Sequence, residues 1–422
     1  MSVGTPGNTR LEIDGTLLLK QIELLGKVGI DPSGGRTRLA LSEQDKMARD
    51  LLQQWMKELA LDVKIDPLGN IFGILYGEGD SCANALMIGS HIDTVINAGA
   101  LDGVYGVLSG LAVARAFREA GMRPIRPLIV AAFTNEEGVR FQPDMMGSLF
   151  FTGGIFLDDA LAAKGSDGVL LGDALRRIGY AGGTDPSLVL PAEYLELHVE
   201  QGPVLDSMKI DIGVVEHLQG ISWKQIGISG TANHAGTTPV SMRHDAGYAA
   251  AKIIVFLREL ACASENTRTT VGSLRFLPDA INVIPSKAVF TVDMRDPDEG
   301  RLVDGEEKLL AFLRELQMEE GVGISVETLA RFKPVRFDSE LAAAVEDAAR
   351  IRGFSSMRIV SGAGHDAQML ARVCKAAMIF VPSQDGISHN PAEHTTDEQL
   401  LRGARVLLDV ASERLGHTGS SL

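Results

Sequence analysis

The sequence predicts an α/β protein: a domain built on a mixed, mainly parallel sheet flanked by helices, interrupted by a smaller α+β domain. Three observations carry this. Short apolar runs alternate with a helix-length stretch between 84 and 133, the pattern of strands covered on both faces by helices. From about 213 the texture changes to strands of alternating polarity interleaved with two helices. After "VRFD" at 335–338 the first texture returns. An insertion is the economical reading, with the first domain in residues 1–212 and 331–422 and the inserted domain in 213–330.

The elements follow in chain order. "SEQDKMARDLLQQWMKELA" (42–60) reads as a helix with Ser42 as its N-cap. "LDVKIDPLGNIFGILYG" reads as two short strands around a Pro/Gly turn. "NALMIG" (84–89) is a strand, "GVYGVLSGLAVARAFREAG" (103–121) a helix, and "PLIVAAF" (127–133) a strand. "YLELHVE" (194–200) adds a strand of strict alternation. In the insertion, "GISWKQIGISG", "TTVGSLRF" and "SKAVFTVDMRD" are strands, with helices near 244–262 and 302–319 on one side. The last part holds a helix at 339–352, the segment "GAGHDAQMLARV", a strand "AMIFVPS" and a helix from 396.

The 422 residues are 45% hydrophobic and 23% charged, ordinary for a globular protein of two or three domains. A net charge of −15 argues against nucleic acid or an anionic membrane surface as the main partner. No stretch is long and apolar enough to span a bilayer, and the N-terminus has no cationic start followed by an apolar run. Three scattered cysteines suit a reducing, cytoplasmic location and make neither a disulfide framework nor a zinc finger.

Chemistry-bearing residues gather after the apolar strands. His91 follows the strand 84–89, His198 lies near the end of "YLELHVE", and His389 follows the strand near 377–382. Glu136 and Glu137 follow 127–133, and Asp102 opens the helix 103–121, where an N-cap is its plainest role. In open α/β sheets, sites collect outside the carboxyl ends of strands. Imidazoles and carboxylates together suit a pair of divalent ions bridged by a carboxylate: zinc, manganese, cobalt or nickel rather than the oxygen-seeking magnesium or calcium. Asp93, two residues past His91, is placed to hold the other imidazole nitrogen. Of the adjacent glutamates, whose side chains point apart, Glu137 is read as a metal ligand and Glu136 as the base that takes a proton from water.

Seven segments in series, "GSHIDTV", "ALDGVYGVL", "TNEEGVRF", "LHVEQGPVL", "ANHAGTTPV", "SGAGHDA" and "SQDGISHNPAEHT", resemble the hydantoinase/carbamoylase amidases of the M20-type dinuclear metallohydrolases. The resemblance runs from roughly 85 to 395. It implies that His91, Asp102, Glu137, His198 and His389 are metal ligands, with Asp102 bridging two ions per chain, and that Glu136 is the base. It further implies that the insertion is a lid and homodimerisation domain. His234, Asn282 and Arg295 of the insertion, with Gln201 after "HVE", would hold substrate, some of them across a dimer. Arg295 has a second reading, an ion pair with Asp293 or Asp296. His365 and Asp366 match a motif near the site, and His365 is counted with the substrate residues. His217, His244, His394 and His417 are read as structural or surface residues.

The expected activity is metal-dependent hydrolysis of a small N-carbamoyl-L-amino acid, with His234 stabilising the oxyanion. Allantoate amidohydrolase and β-ureidopropionase share the motifs. "HVEQG" argues against an M20 aminoacylase or peptidase, and the retained Glu136 against a catalytically silent metal-binding protein.

Overall fold

A computed structural model describes residues 11–79 and 81–418. The chain divides into two compact units, one running to Glu216 and resuming at Phe337, the other spanning His217–Arg336. Both divisions fall later than the sequence patterns placed them. Strand Ile212–Leu218 pairs with Lys375–Val381 in the first unit's sheet, so a division at 212 would detach it. Strand Gly323–Phe332, which the sequence reading did not see, runs past 330 alongside Gly220–Ser229. Its solvent-facing residues blur the alternation that marks a strand.

The first unit is organised by one mixed sheet. Its strands lie in the order Asp62–Ile65, Ile71–Leu75, Leu128–Phe133, Leu86–His91, Glu193–Val199, Lys375–Val381, Ile212–Leu218. The middle four are mutually parallel, and their outer neighbours are antiparallel. Every residue of Leu86–His91, Leu128–Phe133 and Glu193–Val199 is buried, as expected of parallel strands covered on both faces. The alternation in Glu193–Val199 therefore does not mark a wet face. Its polar residues are buried and paired: Glu193 with Arg126, and Glu196 with the Ser90 hydroxyl and the Ala367 N–H. Helix Gly15–Gly26 and strand Ser356–Ser361 also belong to this unit and carry no clear sequence mark.

Helix Glu43–Glu58 begins as expected, Ser42 accepting from the Asp45 N–H. Helix Val104–Glu119 begins differently. Its N-cap is Gly103, at φ +65°, and no side chain caps it, so the Asp102 carboxylate is free for other work. Gly106 lets this helix lie directly on the sheet: a Cβ there would stand 2.5 Å from the Leu197 carbonyl oxygen.

The second unit is an antiparallel sheet, Arg268–Thr270, Lys287–Asp296, Gly220–Ser229, Gly323–Phe332, with Leu274–Leu277 also paired to Lys287–Asp296. Ile226, Ile228, Phe290 and Val292 face helices Ala246–Cys262 and Glu299–Glu320 in a separate core. Among the described residues no helix is long and apolar enough to cross a membrane.

The close approach at Gly106 gives a test. Gly106→Val should destabilise the first unit by about 1–3 kcal/mol through overpacking, lowering its thermal midpoint, whereas Gly183→Val, with nothing within 4 Å of its added Cβ, should not.

Candidate metal centre

The four parallel strands end at one edge of the sheet, and that edge collects the predicted donors. His91 is the last residue of Leu86–His91, a strand that runs two residues past the 84–89 its sequence suggested. From there the chain crosses to Leu128–Phe133 on one side and later to Glu193–Val199 on the other. His91 and His198 thus flank the point where strand order reverses, where open α/β sheets bind their ligands. The turn after Phe133 supplies Glu136 and Glu137. The segment after Val381 supplies His389, held at φ +53°.

Asp102 stands between them. Its Oδ1 lies 3.5 Å from His91 Nε2 and 3.2 Å from His198 Nε2. Its Oδ2 lies 3.1 Å from His389 Nε2, and Glu137 Oε2 is 3.5 Å from that same nitrogen. Two groups result, His91–Asp102–His198 and Asp102–Glu137–His389, each with its ligand atoms within 4.8 Å of one another. They share Asp102, the layout of a dinuclear metal site. The donors fit divalent ions: His91, His198 and His389 offer imidazole nitrogens, and Glu137 Oε1 is buried with no hydrogen-bond partner. A cation supplies what these groups otherwise lack.

Contacts behind the ligands set their tautomers. His91 Nδ1 is 3.0 Å from the Asp93 carbonyl, and His198 Nδ1 is 2.8 Å from the Val199 carbonyl. With Nδ1–H donating to a carbonyl, Nε2 presents its lone pair to the site. The Gly103 N–H, 3.1 Å from His198 Nε2, requires the same tautomer. This corrects the role expected of Asp93. Its backbone holds His91, while its carboxylate, 3.9 Å away, accepts from the Glu136 and Glu137 N–H groups at 3.3 Å each. Asp93 therefore shapes the glutamate turn.

Charges in this pocket answer to burial and to each other. Burial drives the Glu136 carboxyl well above its usual range, the nearby His91 opposing and Glu137 and Asp366 reinforcing. Burial and the Asp102 charge push Glu137 up to about 8. Burial favours neutral His91, but the charge of Glu136 and the hydrogen bond to Asp102 outweigh it and raise its pKa well above normal. Asp102 is held well below the carboxylate range, since the His198, His389 and His91 imidazoles around it overcome its burial. Its hydrogen bond to His389 raises that imidazole to about 9.

Gln201 belongs to the same pocket: its amide donates to Asp102 Oδ2 at 2.8 Å, and its Oε1 is buried without a partner. The His365 ring lies 4.5 Å from that of His198. Burial and the His198 charge hold its pKa well below normal, and its Nε2 has no partner. Sequence reasoning passed over Glu196 and Glu393. The first sits two residues before His198 on the same strand face, and the second four residues after His389.

The remaining predicted residues lie on the inserted unit. His234 Nδ1 accepts from the Gly236 and Thr237 N–H groups at 3.0 and 3.2 Å, which leaves Nε2–H as a donor on the neutral ring. His234 pairs with Val283, and the neighbouring Asn282 accepts from the Ala235 N–H through its carbonyl. Arg295 is engaged by Asp293, with Nη2 2.8 Å from Oδ2, the ion-pair reading of that residue. Asp296 instead holds Thr267 and Arg301.

Metal binding must displace protons from this cluster. Below pH 8 the metal-free site holds protons on Glu137 and, up to about pH 9, on His389. Affinity for a divalent ion should rise with pH until Glu137 has lost its proton at about 8 and His389 at about 9, by about tenfold per unit for each proton released. Calorimetry in buffers of different ionisation enthalpy should show that release at pH 7; binding without it would contradict the charge state described.

Comparison with known proteins places this centre. The model of peptidase family M20/M25/M40 matches residues 87–413. The chain is 38% identical over 412 residues to an N-carbamoyl-L-amino-acid amidohydrolase of Rhizobium meliloti, covering 97% of this chain and 99% of that protein. It is 35% identical over 395 residues to an allantoate amidohydrolase of Bacillus subtilis, covering 92% and 95%. A hydantoinase/carbamoylase family amidase of Burkholderia multivorans has the same fold, with TM-score 0.91 and 38% identity over 96% of this chain and 98% of that one. The chain belongs to the M20 hydantoinase/carbamoylase family of amidases and is a metal-dependent hydrolase of that family.

Proposed function

We propose that the protein hydrolyses the ureido C–N bond of an N-carbamoyl-L-amino acid, releasing the amino acid, carbon dioxide and ammonia. The observation that carries this is the position of Glu136. Its carboxylate is buried beside His91 yet belongs to neither ligand triad, so it remains available as a base. The relatives named N-carbamoyl-L-amino-acid amidohydrolase, matched along nearly their whole length, support the choice of substrate.

His91, Asp102 and His198 would hold one divalent ion, and Asp102, Glu137 and His389 the other, with zinc, manganese, cobalt or nickel suited to this mixed donor set. When bound, such a pair supplies Lewis acidity, polarising the carbonyl and lowering the pKa of water toward about 7. Glu136 takes the proton of the attacking water and returns it to the leaving nitrogen. Asp93 holds Glu136 and Glu137 in place through their backbone N–H groups. His234, with Nε2–H as donor, stabilises the oxyanion. Arg295 exchanges Asp293 for the substrate carboxylate, and Asn282, Gln201 and neutral His365 align the ureido group. The products are the amino acid and carbamate, which falls apart to carbon dioxide and ammonia.

The inserted unit is assigned to homodimer formation and to covering the site. The location is assigned to the cytoplasm, in keeping with the unpaired Cys82, Cys262 and Cys374. Sedimentation at micromolar concentration should give twice the mass of one chain.

A second reading, allantoate hydrolysis, is favoured by relatives of that name. Allantoate carries a second ureido group whose extra polar atoms need partners of their own, a requirement the singly substituted acid does not make, so the latter is preferred.

Ammonia release from a panel of N-carbamoyl-α-amino acids of both hands, N-carbamoyl-β-alanine, allantoate and N-acetyl amino acids should show turnover of the L-carbamoyl compounds. Cleavage of N-acetyl amino acids alone would reject the ureido assignment. Glu136→Gln should lose about 10²–10⁴ in kcat while keeping its metal. Arg295→Lys should raise KM, because lysine cannot reproduce the guanidinium fork.

A further inference from the structure

The two triads are built differently. In His91–Asp102–His198 both imidazoles stand on sheet strands. In Asp102–Glu137–His389 all three residues stand on connecting segments, and the His389 side chain is 49% exposed. Something must fix the segment carrying Asp102 against the segment carrying His389.

Glu393 is placed to do this. Its Oε2 accepts from the Leu101 N–H at 2.8 Å and from the Asp102 N–H at 3.3 Å. Its Oε1 accepts from the hydroxyl of Ser388, the residue before His389, at 3.1 Å. One buried carboxylate thus grips the backbone beside the bridging ligand and the side chain beside the outer ligand. Gly99 makes room, since a Cβ at that position would overlap the Glu393 carboxylate. Apart from bonds made to the Asp102 carboxylate itself, the hydrogen bonds that join these two segments among the described residues both end on Glu393.

We propose that Glu393 is a positioning residue that sets the spacing of the Asp102–Glu137–His389 half of the centre, and so governs the hold on one of the two ions. The idea rests on the dinuclear reading of the site and adds an asymmetry to it. The ion at the strand-borne triad is held by the sheet. The other is held only while Glu393 closes the two segments together.

Two substitutions separate reach from charge. Glu393→Asp keeps the charge but draws the carboxylate back by one methylene, so it can no longer span both segments. Glu393→Gln removes the charge but keeps an oxygen within reach of the Leu101 N–H. Each is loaded with cobalt and titrated with a chelator, the ions being counted by elemental analysis and followed by the visible absorption of bound cobalt. Thermal midpoints are recorded in parallel. Glu193→Gln, at the far end of its strand and paired with Arg126, serves as a control for general destabilisation.

In Glu393→Asp one ion should leave at chelator concentrations about 10–100-fold below those needed for the native protein, while the second is held as in the native protein. Glu393→Gln should stay close to native, and Glu193→Gln should lower the midpoint without moving either ion. The proposal is overturned if Glu393→Asp releases both ions together or neither early. It is also overturned if Glu393→Gln weakens binding while Glu393→Asp does not, which would make the effect one of charge. A native protein that takes up only one ion would reject the dinuclear reading itself, an outcome distinct from either failure of Glu393.

Discussion

Everything at the sheet edge depends on the Asp102 carboxylate, which faces three imidazoles and gives one oxygen to each half of the centre. A buried carboxylate among like charges is costly unless something positive shares the pocket. Here the imidazoles meet that need, and the two triads that share Asp102 are laid out so that divalent ions would meet it as well. The same crowding shows in its neighbours: burial and the Asp102 charge raise Glu137, and the hydrogen bond to Asp102 raises His389.

The scaffold explains why the ligands converge. Four parallel strands, buried on both faces, bring their carboxyl ends to one line, and helix Val104–Glu119 lies directly against them through Gly106. Gly103 does similar work at the helix start. Its φ of +65° turns the chain so that Asp102 looks into the site, and a Cβ there would stand 2.5 Å from the His91 ring. The rigid sheet fixes His91 and His198. The connecting segments bring Asp102, Glu137 and His389, and these need further hydrogen bonds to hold their places.

Much of this was legible in the sequence. Parallel strands read as apolar runs, and residues able to bind metal stood just after those runs, so the sheet edge and its donors could be read together. What failed was finer. Asp93 was rightly placed beside His91, but spacing along a strand does not distinguish a side chain from a carbonyl, and the carbonyl makes the bond. Asp102 taken alone looked like a helix cap, a position the glycine after it takes, and only its company of histidines and acids pointed to a ligand. Glu196 and Glu393 resembled ordinary polar residues because their partners are 106 and about 290 positions away along the chain. Strand Gly323–Phe332 was missed because an edge strand with exposed residues loses the alternation that would reveal it.

The central claim is that one carboxylate bridges two ions. X-ray absorption on the protein loaded with two equivalents of cobalt or manganese tests it most directly. The account predicts metal–metal scattering at about 3.5–4 Å, with nitrogen and oxygen neighbours around each ion. Two bound ions that give no such vector would contradict it, because ions sharing Asp102 cannot lie far apart.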